Sequence, residues 1–138
     1  MSLQKKVNRR SRLLMMLFIL LTAPLLMAPG SDPCPTCGVI QEFYAALEAK
    51  DVDKAMFYIA EDAVLWRGDK VAYRGKDEIK EQLKREIKLY RFKVDYITAD
   101  REAVSYAWTV ISDSDVWTGT DTAIVENGQI LMSKMTIP

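Results

Sequence analysis

Few residues in this chain are of a type and spacing that could do chemistry. Cys34-Pro35-Thr36-Cys37 sets two thiols at a distance where they can close a small disulfide or exchange one. Arg67 can present a fixed planar cation to a carboxylate or phosphate. Asp121 lies in a threonine-rich run and can accept a proton, hold a donor or pair internally with Arg67. Tyr44, Tyr58, Trp66 and Trp108 can line a pocket for a flat or apolar ligand, and ordinary core packing accounts for such residues equally well. Histidine is absent, which excludes Ser-His and Cys-His nucleophile pairs and imidazole metal sites. Two cysteines cannot complete a four-ligand zinc site within one chain, so no metal and no cofactor is expected.

The elements that must position these residues follow from periodicity. From Gly38 the pattern is helical, with Val39, Ile40, Phe43 and Leu47 on one stripe. After a break at Ala49-Lys50-Asp51, Asp51 caps a shorter helix with Val52, Ala55, Met56 and Ile59 on its apolar face. Asp62 to Arg67 reads as a strand, Arg67 to Lys70 as a turn, and Val71 to Tyr73 as a short strand or loop. Gly75 opens a third helix with core stripe Ile79, Leu83 and Ile87 and an expected Glu81–Arg85 pair. The period then drops to two, with Phe92, Val94 and Tyr96 on one face, then Val104, Tyr106, Trp108 and Val110 on the next strand. Residues 116–125 form another strand, and Asn127-Gly128 turns the chain into a last one over 129–137. Helices first and antiparallel strands after them give an α+β layout.

Length and charge describe the remainder. The 138 residues are 49% apolar and suit one domain with a short appendage. Lys5, Lys6, Arg9, Arg10 and Arg12 precede an apolar run, Leu13 to Ala28, that is interrupted by Thr22 and Pro24. This is the layout of an export leader. Sixteen helical residues reach about 24 Å, short of a hydrocarbon core of about 30 Å. Residues 1–30 are thus expected to be a signal peptide cleaved before Ser31 or a retained membrane anchor through 13–28, with a buried domain helix as the remaining alternative. In the first two cases the following residues lie outside the cytoplasmic membrane, secreted, periplasmic or tethered to its outer face. Residues 31–37 form a junction carrying the cysteine pair, and 38–138 form the domain.

The 19 Lys+Arg balance 19 Asp+Glu overall, but removing the five leader cations leaves 14 against 19, a domain charge of −5. Lys80, Lys84, Arg85, Lys88, Arg91 and Lys93 alternate with acids and read as a solvated face, so no nucleic-acid partner is expected. In an oxidising compartment, Cys34 and Cys37 would close a small disulfide loop.

The ordered segments VIQEFYAALEAKDVDKAMFYIAEDAVLW, YRGKDEIKEQL and TAIVENGQILMSKM resemble the nuclear transport factor 2-like, or SnoaL-like, superfamily. The resemblance implies a cone-like α+β barrel, three N-terminal helices packed on a strongly curved, mainly antiparallel sheet. It also implies a pocket for a small-molecule ligand and a homodimer through the outer sheet face. Ketosteroid isomerase-like members place a Tyr on the first helix, a carboxylate base at the end of the first strand and an acidic donor in the sheet. Here Phe43 and Arg67 take the first two places, and Asp121, or Thr122 if the alignment slips by one, the third. A phenyl ring cannot stabilise an oxyanion and a guanidinium cannot accept a proton near neutral pH. Scytalone dehydratase-like members need the missing histidine, and the Asp-Arg-Asp set of limonene epoxide hydrolase-like members has no match. The reading is an exported or tethered, non-catalytic ligand-binding or dimeric interaction module with pocket candidates Tyr44, Tyr58, Arg67, Trp108 and Asp121. An isomerase, dehydratase or hydrolase with a non-standard pocket, and a thiol-redox protein using Cys34 and Cys37, are the alternatives.

Overall fold

The computed structural model describes residues 34–136. The expectations for residues 1–30, as leader or anchor, lie outside the described residues. Helix α1 spans Pro35–Glu48, α2 Val52–Met56 and α3 Lys76–Leu89, and the strands are β1 Ile59–Arg67, β2 Lys70–Arg74, β3 Arg91–Asp100, β4 Ala103–Ile111, β5 Val116–Glu126 and β6 Gln129–Thr136. They form one six-stranded sheet in the order β2-β1-β6-β5-β4-β3. Neighbours are antiparallel except β1 and β6, which run parallel and are joined by a long crossover through β2, α3 and β3 to β5. The helices lie against this sheet, α1 chiefly on β3 and α3 on β1. Three helices on a curved, mostly antiparallel sheet match the expected α+β architecture.

Local chemistry explains most boundaries. Cys34 caps α1 and Pro35 enters at its first turn, where a missing N–H costs nothing, so the helix starts three residues earlier than the apolar stripe indicates. Ile40, Phe43, Ala46 and Leu47 are its buried face. Lys50 turns the chain in the left-handed region at φ 62°, and the Asp51 carboxylate accepts the Lys54 N–H at 2.9 Å to start α2. Ile59 is not helical. The Ile130 N–H donates to the Tyr58 carbonyl at 2.7 Å and Ile59 pairs with Ile130, so tertiary pairing with β6 ends the helix and begins β1 three residues before Asp62.

Gly75 precedes α3 at φ 84°, and Glu78 reaches back to accept the Arg74 N–H at 2.8 Å. Ile79 and Leu83 are buried and Ile87 is half-buried. Glu81 pairs with Lys84 at 2.8 Å rather than with Arg85, whose guanidinium instead donates to Gln82 at 2.7 Å. The Lys50 ammonium donates to the carbonyls of Ile87 and Tyr90 at 2.5 and 2.6 Å and so caps the C-terminal end of α3 from the α1–α2 corner.

In the sheet, the β3–β4 register shifts between Val94 and Tyr96. This bulge at Asp95 resets the alternation, turning Tyr96 outward at 65% exposure and bringing Ile97 to the core. The expected stripe of Phe92, Val94 and Tyr96 therefore breaks at its third member. Asn127 and Gly128, both at positive φ, make the two-residue β5–β6 turn.

Candidate functional site

Antiparallel register fixes what faces the concave side. Opposed residues share a face, so Tyr106 stands beside Asp121, Trp108 beside Gly119 and Val110 beside Trp117. Asp121, 6% exposed, accepts the Trp108 indole N–H at 2.7 Å on Oδ1, and on Oδ2 the Tyr106 hydroxyl at 3.1 Å and the Ser133 hydroxyl at 3.2 Å. Thr122 faces the other way, exposed beside Ser105. Of the two, Asp121 is therefore the residue that faces the core.

Burial pushes the Asp121 carboxyl above its ordinary value, and the three donors oppose that shift without cancelling it. Tyr106 is raised by burial and then by the neighbouring carboxylate. Tyr44, half-buried on α1, packs its ring edge on Tyr106 at 5.5 Å and is raised well above the usual phenol range, by burial first and then by Tyr106 and Asp121.

Gly119 is what allows this arrangement. A Cβ there would come within 2.3 Å of the Trp108 ring, so the indole lies across the strand in the space a side chain would occupy. Laid flat, Trp108 reaches Asp121 with its nitrogen.

A cavity of about 810 Å³ opens between α3 and the concave sheet face. Its walls include Trp108, Trp117, Tyr90 and Phe92, with Arg67 and Arg85 as its cations. Tyr90 meets Trp117 edge to face at 5.8 Å. Arg67 is exposed at the end of β1 opposite Met135 and enters no ion pair among the described residues. Arg85 is held by Gln82, which in turn donates to Glu86 at 2.7 Å.

Of the sequence-derived candidates, Arg67 and Trp108 line this cavity. Asp121 is bound to the Trp108 nitrogen and is not among the lining residues, and Tyr44 lies with Tyr106 in the core. Tyr58, at the α2–β1 junction, packs against the core away from the cavity, and Trp66 alternates to the opposite face from Leu65 and Arg67. Phe43 is buried. Cys34 and Cys37 are joined as a disulfide inside the first turn of α1, at a separate position. No cluster of His, Cys, Asp or Glu suited to a metal exists among the described residues.

Gly119, Ser133, Arg85 and Trp117 were not anticipated as site residues. A lone glycine inside a threonine-rich strand, two positions before Asp121, was the one local signal available for any of them.

No curated protein matches the sequence. Solved structures similar to it include a nuclear transport factor 2-like protein of unknown function from Cytophaga hutchinsonii (TM-score 0.67, 13% identity, covering 75% of this chain and 89% of that one). Others are a de novo designed protein with a curved β-sheet (0.66, 19%, 75% and 85%) and an epoxide hydrolase from M. tuberculosis (0.64, 20%, 73% and 80%). A designed protein and an enzyme fit this backbone equally well, so these likenesses speak for the fold alone. The family model described as SnoaL-like domain matches residues 40–131, from within α1 to the first residues of β6, and the chain therefore belongs to the SnoaL-like domain family.

Proposed function

We propose that the domain binds an amphipathic organic anion in the cavity between α3 and the sheet and does not transform it. The observation that carries this reading is Arg67, a guanidinium without an ion-pair partner among the described residues, at the edge of a cavity walled by aromatic side chains. A volume of about 810 Å³ falls in the range of small-molecule sites, which run from about 300 to about 1,000 Å³. A flat or apolar body would pack on Trp108, Trp117 and Phe92 while a carboxylate, sulfonate or phosphate takes the Arg67 fork.

The bonding of the nearby acids supports binding over catalysis: Glu86, on the cavity wall, already accepts the Gln82 amide at 2.7 Å. Arg67 stands at the strand end where the resemblance to isomerase-like members places a carboxylate, and a guanidinium offers donors there in place of an acceptor. Asp121, behind the wall residue Trp108, already accepts three hydrogen bonds on two oxygens. The domain would act outside the cytoplasmic membrane. That placement is supported by the basic and apolar order of residues 5–28 and by the disulfide, which persists in oxidising compartments.

Titration with 8-anilinonaphthalene-1-sulfonate, an aromatic sulfonate, tests the reading. Saturable one-to-one binding should weaken about tenfold in Arg67→Leu, the loss of about 1.4 kcal/mol. Equal affinity in the two proteins would remove Arg67 from the site.

A further inference from the structure

The Cys34–Cys37 pair takes no part in the cavity, and its surroundings treat the two sulfurs differently. Cys34 is the N-cap of the fourteen-residue α1 and is half-buried, whereas Cys37 is 7% exposed in the first turn. The Cys37 N–H donates to Cys34 Sγ at 3.2 Å, and the Thr36 hydroxyl lies 3.6 Å from the same sulfur. The first turn of α1 contains no acidic residue. Negative charge on Cys34 Sγ would thus meet an amide donor, a hydroxyl and the positive end of a helix, with no carboxylate in that turn to oppose it. As a staple the disulfide does little, since it closes a loop across three positions that the helix already fixes.

We infer that this pair is a thiol–disulfide exchange site that donates its disulfide to exposed dithiols of other proteins. A substrate thiolate attacks Cys34 Sγ, the Cys34–Cys37 bond breaks, and Cys37 leaves as a thiolate that takes a proton. The second substrate thiolate then attacks the substrate sulfur of the mixed disulfide and expels Cys34 as its stabilised thiolate. The substrate dithiol becomes a disulfide and loses two protons. The pair gains two electrons and one of those protons, and water takes the other. A stabilised Cys34 thiolate favours the reduced form, which makes the oxidised pair a disulfide donor.

Two measurements on the full chain test this. In Cys37→Ser, the pH dependence of Cys34 alkylation by iodoacetamide should have its midpoint a unit or more below the ordinary thiol value of about 8.5, and a midpoint at or above that value overturns the inference. The oxidised unmutated protein, mixed with a reduced dithiol peptide, should convert it to the disulfide in equal amount, and Cys34→Ser should not. A disulfide that leaves the peptide reduced would be structural only. Neither readout depends on the cavity.

Discussion

Burial disfavours the charged form of Asp121 more than its three hydrogen bonds favour it, so its carboxyl titrates above the unfolded value of about 3.9. The protonated carboxyl therefore contributes stability that is fully present below about pH 4 and is lost as pH rises through the higher folded value. Asn keeps an acceptor for the Trp108 N–H and presents an amide that the Tyr106 and Ser133 oxygens can accept. Asp121→Asn should accordingly gain in melting temperature relative to the unmutated protein as pH rises from 4 to 7. Thermal melts across that range check this, and a widening deficit of the variant would refute it. Gly119→Ala acts through the same network by steric displacement: the added methyl must push the Trp108 ring off β5, at a cost of about 1–3 kcal/mol. A red-shifted tryptophan emission together with a lower denaturation midpoint is the expected signature. At this scale the sequence was legible where residue type alone decides. Arg67 at a strand end could be named from sequence, but Ser133 could not, because only the β5–β6 register carries it to Asp121.

Helix α3 holds one wall of the cavity, and among the described residues its C-terminal end is tied by the side chain of Lys50. Lys50→Met keeps the alkyl stem and removes the donor, so it should cost about 1 kcal/mol. Faster amide exchange over Ile87 to Tyr90 would localise the loss, and unchanged exchange there would show that water replaces the ammonium without consequence. The elements were readable from sequence wherever local chemistry sets them: the α1 stripe, the Asp51 cap, Gly75 and Asn127-Gly128. Reading failed where a distant partner decides. Val52, Ala55, Met56 and Ile59 keep helical spacing, yet pairing with Ile130 takes Ile59 into β1. The Asp95 bulge carries no local mark, so strict alternation placed Tyr96 on the wrong face. Arg85 and Trp117 join Arg67 only through packing of α3 against the sheet, which no window of sequence displays.

At the scale of the whole chain, the five basic residues before Leu13 and the apolar run after them separate from an acidic domain. Amino-terminal sequencing of protein recovered from the envelope should start at Ser31 if the leader is removed. A start at Met1 or Ser2 with sedimentation among membranes would mark a retained anchor, and recovery from the cytoplasm would refute export. The parallel β1–β6 pair bears on the order in which the domain folds. It lies inside the sheet and joins residues 59–67 to residues 130–135, so until the last strand has left the ribosome β1 has only β2 beside it. The two halves of the sheet then have no seam between them, and the non-local closure that remains is the slow kind. In a nascent chain of this topology the β3–β4–β5 ribbon can pair early, while the seam that joins it to β1 and β2 waits for residues 130–135.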